Sequence, residues 1–291
     1  MANSELDRYP LLKIHGSLDS LSSAERKLAE FILDRPRETI DATIEELAES
    51  SGSSYATISR FCKKLGYSGF KEFRSSLIDD IVRQKENGIG LDSPDLSAGL
   101  ETAETIERIS RFSERILRET ETFMVDEDVS AAADAIISAK RVVCVGTGTS
   151  AITAHYAYSR FFRLGIPCSS ESDPVVFSMA ASILGPQDVL LAVSSSGRTV
   201  SVVDAAEIAR CHGATVISLS DYAISPLNRA AGITLYTTPR TANVFQTMEM
   251  PLLIGQVLII DSLFGVMTTK ADASAEEIYR TTKEAADRMK Y

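Results

Sequence analysis

Ser194-Ser195-Ser196-Gly197-Arg198-Thr199 follows directly on an apolar run at 189–193. Hydroxyls and glycine amides gathered in one short loop donate hydrogen bonds, and the acceptor that rewards them most is an anion, phosphate above all. A second stretch of the same character, Gly146-Thr147-Gly148-Thr149-Ser150, follows the apolar segment 141–145. Glycines let the backbone approach a ligand closely, and two such loops suit one small phosphate better than a long dinucleotide. Dinucleotide binding is the rival chemistry. Gly146, Gly148 and Ala151 satisfy the spacing of a GxGxxG/A fingerprint, but the acidic residue it needs about 20 positions on has only Glu171 to fill it, and poorly. Serines and a glycine after a strand are also ordinary turn formers.

Other chemistry is thinly supplied. Moving a proton between sugar carbons needs a base and an acid. The second half of the chain offers the imidazoles of His155, one turn into the helix after the first loop, and His212, at the far end of its helix. No catalytic residue is assigned. Cys62, Cys144, Cys168 and Cys211 are far apart and form no CxxC pair. They read as reduced thiols, and no metal or cofactor is expected.

The two loops need elements to hold them. An unbroken apolar run such as 189–193, closed by polar residues and glycine, fits a strand buried on both faces of a parallel sheet. The following segment, VVDAAEIARCHG, spaces Val200, Val203 and Ile208 on one helical face and reaches Gly213 just past its end. The loop 194–199 is therefore expected at the carboxyl end of a strand and the opening of a helix, where open α/β sheets bind ligands and helix amides bind anions. The same rhythm repeats. Strands are predicted at 141–145, 166–169, 189–193, 214–219 and 233–237, with helices between them and a last long helix at 251–268. Alternation of this kind implies a five-stranded parallel sheet with helices on both faces.

The first third of the chain has helical periodicity only. Ser22 to Glu25 and Thr43 to Glu46 are capping boxes. Pro36 is read as the end of the first of these helices, and residues 1–18 carry only a weak pattern. A short helix from Thr43 leads through a turn at Gly52 to a helix at 54–65, which is the helix-turn-helix layout. In that layout the second helix enters the major groove. Its exposed side is rich in short hydroxyls with one arginine: Ser53, Ser54, Tyr55, Thr57, Ser59 and Arg60. Between 53 and 74, Arg60, Lys63, Lys64, Lys71 and Arg74 face one acid, Glu72, for a net +4 within a chain of net −10. A solvated helix face with a lysine pair would look the same.

The segments LSSAERKLAEFILDRP and TIEELAESSGSSYATISRFCKKLGYSGFKEFR resemble the N-terminal domain of the RpiR family of bacterial transcriptional regulators. That resemblance implies a domain that binds a pseudo-palindromic operator as a dimer. Carried over by position and helical facing, Ser54, Tyr55, Thr57 and Arg60 would face the groove, and Lys63, Lys64, Tyr67 and Lys71 would lie near DNA phosphates. GTGTSAITA, SSSGRT and GATVISLSDYAISPLNRAA are similar to the sugar isomerase (SIS) domain, a phosphosugar-binding fold. By that likeness Ser194, Ser196 and Thr199 grip the phosphate, with Ser150 from the first loop and Gly148 and Thr149 beside it. Glu249 stands in the loop where SIS enzymes can carry a catalytic acid, and is read here as a ligand of a sugar hydroxyl.

At 291 residues, 44% hydrophobic and 24% charged, the chain is sized for two ordinary globular domains. The expected division is a helix-turn-helix domain at 1–85, a linker and connecting helix at 86–124, and an SIS domain at 125–291. No apolar stretch is long enough for a membrane span, and MANSELDRYP is not a signal peptide. The expectation is a cytoplasmic transcriptional regulator, a homodimer or tetramer, controlled by a phosphorylated sugar. A phosphosugar isomerase is the alternative, and a Rossmann oxidoreductase the more distant one.

Overall fold

In the computed structural model, which describes residues 9–86, 99–239, 253–270 and 273–289, the chain divides into two units within one long helix, between Arg115 and Ile116.

The N-terminal unit is helical. After α1 (Pro10–Ser17) and a 3-10 turn (Leu18–Ser20) come α2 (Ser23–Asp34), α3 (Pro36–Asp41), α4 (Ile44–Ser51), α5 (Tyr55–Lys64) and α6 (Phe70–Glu86). Both capping boxes form: the Ser22 hydroxyl accepts from the Glu25 amide, the Thr43 hydroxyl from the Glu46 amide, and each glutamate reaches back to its cap. Two elements differ from expectation. Residues 10–17 form a full helix, because Leu11, Leu12 and Ile14 are buried at its inner face. Pro36 does not merely end α2. It drives Arg35 out of the helical region, to φ −132° and ψ 58°, and then opens α3 at the first-turn position that proline tolerates. Leu28, Ile32, Leu47, Ile58, Phe61, Phe73 and Leu77 make one core, with Phe61 and Phe73 edge to face at 6.2 Å. Burial of such side chains is worth about 1.5–3 kcal/mol each, and it outweighs the weak propensity of these short helices.

The second unit takes the end of α7 (Thr102–Phe123) and continues through α8 (Asp126–Ser138), β1 (Arg141–Val145), α9 (Thr149–Phe162), β2 (Cys168–Glu171), α10 (Pro174–Ser182), β3 (Asp188–Val193), α11 (Val200–Cys211), β4 (Thr215–Asp221), α12 (Pro226–Ala230), β5 (Ile233–Thr237), α13 (Leu253–Thr269) and α14 (Ala273–Asp287). The final helix carries no expectation from the sequence reading. All neighbouring strands are parallel, in the order β2-β1-β3-β4-β5. The pleat explains the unbroken apolar run in β3. Val189, Leu191 and Val193 point with Val142 and Cys144 into a core shared with α8, α9 and α13. Leu190 and Ala192 point with Val143 and Val145 to the other face, against α10, α11 and α12. Among the described residues no helix is long and apolar enough to cross a membrane.

Candidate phosphate site and nucleic-acid interface

β3 ends with its pairing intact: the Ser194 amide donates to the Leu219 carbonyl at 3.0 Å. The chain then turns sharply, the Gly197 amide donating to the Ser194 carbonyl at 2.9 Å. Gly197 has φ +61°, and a Cβ there would overlap Ser225. Only glycine fits this corner. Two neighbours clamp the turn: the Asp221 amide donates to the Ser195 carbonyl at 2.9 Å, and the Leu227 amide to the Gly197 carbonyl at 3.1 Å. The buried Ser194 hydroxyl lies 3.1 Å from that of Thr199, whose residue opens α11. Ser196 is exposed, and its hydroxyl accepts from the Arg198 amide at 3.2 Å.

β1 leads into the second loop in the same way. Gly146 is buried, and a Cβ on it would come within 2.7 Å of the Ser150 carbonyl oxygen. Gly148 opens α9 from φ 57° and ψ −130°, a conformation closed to residues with a Cβ. Ser150 is buried and Thr149 exposed.

Four helices begin just after strands of this sheet, and they are finished differently. Asp173 caps α10 by accepting from the Val175 and Val176 amides, and Ser225 caps α12 by accepting from the Asn228 amide. Neither α9 nor α11 has a side-chain cap. The Ser150, Ala151 and Val202 amides turn back to the Thr147, Gly148 and Thr199 carbonyls, and the positive ends of both helix dipoles are left without a side-chain acceptor. α9 follows β1 and α11 follows β3, which are adjacent strands. The strand order reverses between them, and this is the switch point at which sheets of this topology hold ligands.

Other side chains place themselves plainly. His155 is exposed on the outer side of α9 with its ring 5.5 Å from Tyr158, rather than packed. His212 is exposed at the end of α11, its Nδ1 2.9 Å from the Ile208 carbonyl. Glu249 lies outside the described residues. One carboxylate escaped sequence reasoning: Asp221, at the carboxyl end of β4, is buried and accepts from the Thr237 hydroxyl at 3.1 Å. The dipeptide Ser220-Asp221 ending an apolar strand was the available signal. Burial pushes the Cys62 thiol up to about 12 and that of Cys168 up to about 11, so neither is a ready nucleophile.

On the N-terminal unit, Gly52 closes α4 at φ 62°, and Ser54 caps α5. Ser54, Tyr55, Arg60, Lys63 and Lys71 are exposed. Two residues expected with them are buried, and a third, exposed Lys64, is engaged within the unit. Thr57 is buried with its hydroxyl 2.9 Å from that of Ser54, because its place in the first turn of α5 directs it to the cap. Tyr67 is a core ring, edge to face with Phe73 at 5.4 Å and covered by the Lys13 ammonium 4.8 Å from its centroid. Lys64 turns back onto α2, donating to the Ser20 carbonyl at 2.7 Å and to Glu25 at 3.2 Å. Burial pushes the Glu25 carboxyl up, but bonds from Ser22 and Lys64 outweigh it and hold the group below its usual range. Half-buried Ser59 completes the outer side of α5.

Residues 10–84 match the helix-turn-helix domain of the rpiR family, and residues 135–261 match the SIS domain. A transcriptional regulator of Caldanaerobacter subterraneus is 30% identical over 93% of this chain and 94% of its own length. The chain belongs to the RpiR family of transcriptional regulators. Among other relatives, the helix-turn-helix-type transcriptional regulator HexR of Escherichia coli is 28% identical over 97% of this chain and 95% of its own. The structure of Vibrio vulnificus NanR complexed with ManNAc-6P superposes with a TM-score of 0.60 at 23% identity, covering 97% of this chain and all of that one. At that identity the likeness speaks for the fold. This RpiR-family chain is thus a helix-turn-helix regulator with an SIS domain.

Proposed function

We propose that this regulator binds the phosphate of a phosphorylated sugar between the loops 146–150 and 194–199, and that occupancy changes its affinity for operator DNA. The observation that carries this is the pair of uncapped helices, α9 and α11, opening from adjacent strands at the sheet's switch point. Gly148, Thr149 and Ser150 supply one side, and Ser194, Ser196 and Thr199 the other. That NanR is complexed with a sugar phosphate on the same fold supports the ligand class. Glu249 is retained as a ligand of a sugar hydroxyl.

The ligand is a signal rather than a substrate. Both imidazoles of the SIS domain face outward, so neither is placed to serve as the acid that ring opening needs. On the N-terminal domain, Ser54, Tyr55 and Arg60 read the major groove, and Lys63 and Lys71 hold phosphates. A helix-turn-helix reads two half-sites of a pseudo-palindrome through a homodimer or a larger assembly. The stripe of Val175 and Met179 on α10 and Ile183 just past its end, each roughly two-thirds exposed, suits contact between copies. The division into a DNA-binding domain at 1–85, a connecting segment at 86–124 and an effector domain at 125–291 follows from these roles, and the protein works in the cytoplasm. Effector acts by preferring one arrangement of the assembly, and only a difference in affinity between arrangements can drive the response.

The test is the double variant Ser194→Ala/Thr199→Ala. It should lose effector binding by at least about tenfold, from lost charge-assisted hydrogen bonds, and still bind operator in a gel-shift titration. Wild-type effector affinity in the double variant would place the phosphate elsewhere.

A further inference from the structure

Besides its two backbone clamps from Asp221 and Leu227, the Ser194–Thr199 turn is held by one buried side chain from a distant helix. Gln256, in the first turns of α13, is 2% exposed, and its Nε2 donates to the Ser195 hydroxyl at 3.0 Å. Its Oε1 accepts from the Thr153 hydroxyl at 2.5 Å. Thr153 is fully buried, on α9, the other helix that opens toward the proposed phosphate. A single amide thus joins the helix that follows the first loop to the loop that follows β3.

The geometry fixes the chemistry of each group. Thr153 donates, so the amide presents its oxygen to α9 and its NH2 to the loop. The Ser195 oxygen is then an acceptor, and among the described residues no partner takes the hydrogen it still carries. Gln256 cannot easily move. The preceding residue, Gly255, has no room for a side chain: a Cβ would lie 2.7 Å from Thr120 Oγ1, 3.3 Å from Ile116 Cγ2 and 3.4 Å from Thr237 Cγ2. α7 and the end of β5 therefore set this turn of α13. A buried amide satisfied at both ends is also expensive to disturb, since displacing the loop leaves a donor unpaired.

We infer that Gln256 is the positioning residue of the phosphate loop: oriented by Thr153, it holds the Ser195 hydroxyl as an acceptor, which fixes the turn and leaves that hydroxyl's hydrogen for the anion. Gln256 acts through Ser195 and need not touch the ligand. The inference rests on the proposed effector site.

Three variants in the full-length protein separate the roles. Gln256→Met keeps the bulk and removes both bonds. Gln256→Glu keeps the acceptor toward Thr153 but turns the donor toward Ser195 into an acceptor. Thr153→Val removes only the orienting bond and protects the test if a Gln256 variant fails to fold. The first readout is hydrogen exchange of the peptide spanning 194–200 without ligand. It should speed up several-fold in Gln256→Met, by the order expected for one buried hydrogen bond, with exchange in α5 unchanged. The second readout is binding of inorganic phosphate and of ManNAc-6P. Affinity should fall about tenfold in Gln256→Met and further in Gln256→Glu, with Thr153→Val between wild type and Gln256→Met. Wild-type exchange and wild-type affinity in both Gln256 variants would overturn the inference. If exchange speeds up as expected but the wild type binds neither probe, the loop assignment stands and the phosphosugar site fails.

Discussion

The two working surfaces of this regulator are built on opposite plans. On the proposed DNA-facing side of α5 the chemistry belongs to side chains: Ser54, Tyr55, Arg60 and Lys63 stand on a helix fixed from behind by Ile58, Phe61 and Cys62. In the proposed phosphate site much of the chemistry belongs to the backbone, with glycines at 146, 148 and 197 shaping loops that leave two helix ends without side-chain caps. A side-chain surface can be edited one contact at a time, which suits operators that differ in sequence. A backbone site tolerates little editing, which suits a ligand group that does not change.

The contrast predicts unequal sensitivity. Gly197→Val should be the most damaging single change in the effector half. Strain at positive φ costs about 1–3 kcal/mol, the overlap with Ser225 adds to it, and isothermal titration should show no phosphosugar binding while operator binding persists. Binding retained in this variant would break the backbone account.

The next effect belongs to the N-terminal unit. Burial, followed by the nearby Arg115 charge, lowers His15 from 6.5 to about 4, and among the described residues its Nδ1 has no hydrogen-bond partner. The folded pKa lies below the unfolded one, so this contribution to stability is complete above the unfolded value near 6.5. It is lost as pH falls toward 4. Its full size is about 3 kcal/mol. Chemical denaturation at stepped pH should show the loss, and His15→Leu should flatten the slope across that window.

Single contacts on α5 rank below these. Arg60→Ala should weaken operator binding by about 1–3 kcal/mol if it reads a guanine, with specificity relaxed at one base pair. The smallest effect is the most discriminating. Lys63→Ala should lower the salt slope of binding by about one unit. Lys64→Ala should leave that slope alone, because its ammonium is held by Ser20 and Glu25. Equal slopes in the two variants would return Lys64 to the DNA face.

The same contrast explains what could be read from the sequence. Backbone sites announce themselves, because glycines and hydroxyls at the end of an apolar run leave few alternatives. The sheet, its two loops and the capping boxes were all legible for this reason. Side-chain surfaces are less so, since periodicity gives a helix's inner face but not whether an outer residue is already engaged. Thr57 and Tyr67 were misplaced on that account, and Lys64, though exposed, meets partners that sequence spacing does not reveal. Gln256 was invisible for the same reason, with partners 103 and 61 residues away. Helices α1 and α3 were missed because tertiary burial, rather than pattern, stabilises short segments.

The central claim is that a phosphate, and not a sugar alone, occupies the open ends of α9 and α11 and is reported to DNA. Thermal shift of the full-length protein against a panel of sugar phosphates, each paired with its unphosphorylated sugar, tests it directly. The account predicts that at least one phosphate ester raises Tm and changes operator affinity in the same preparation, while its parent sugar does neither. A panel in which esters and parent sugars behave alike, or in which a stabilising ester leaves operator affinity unchanged, would contradict it.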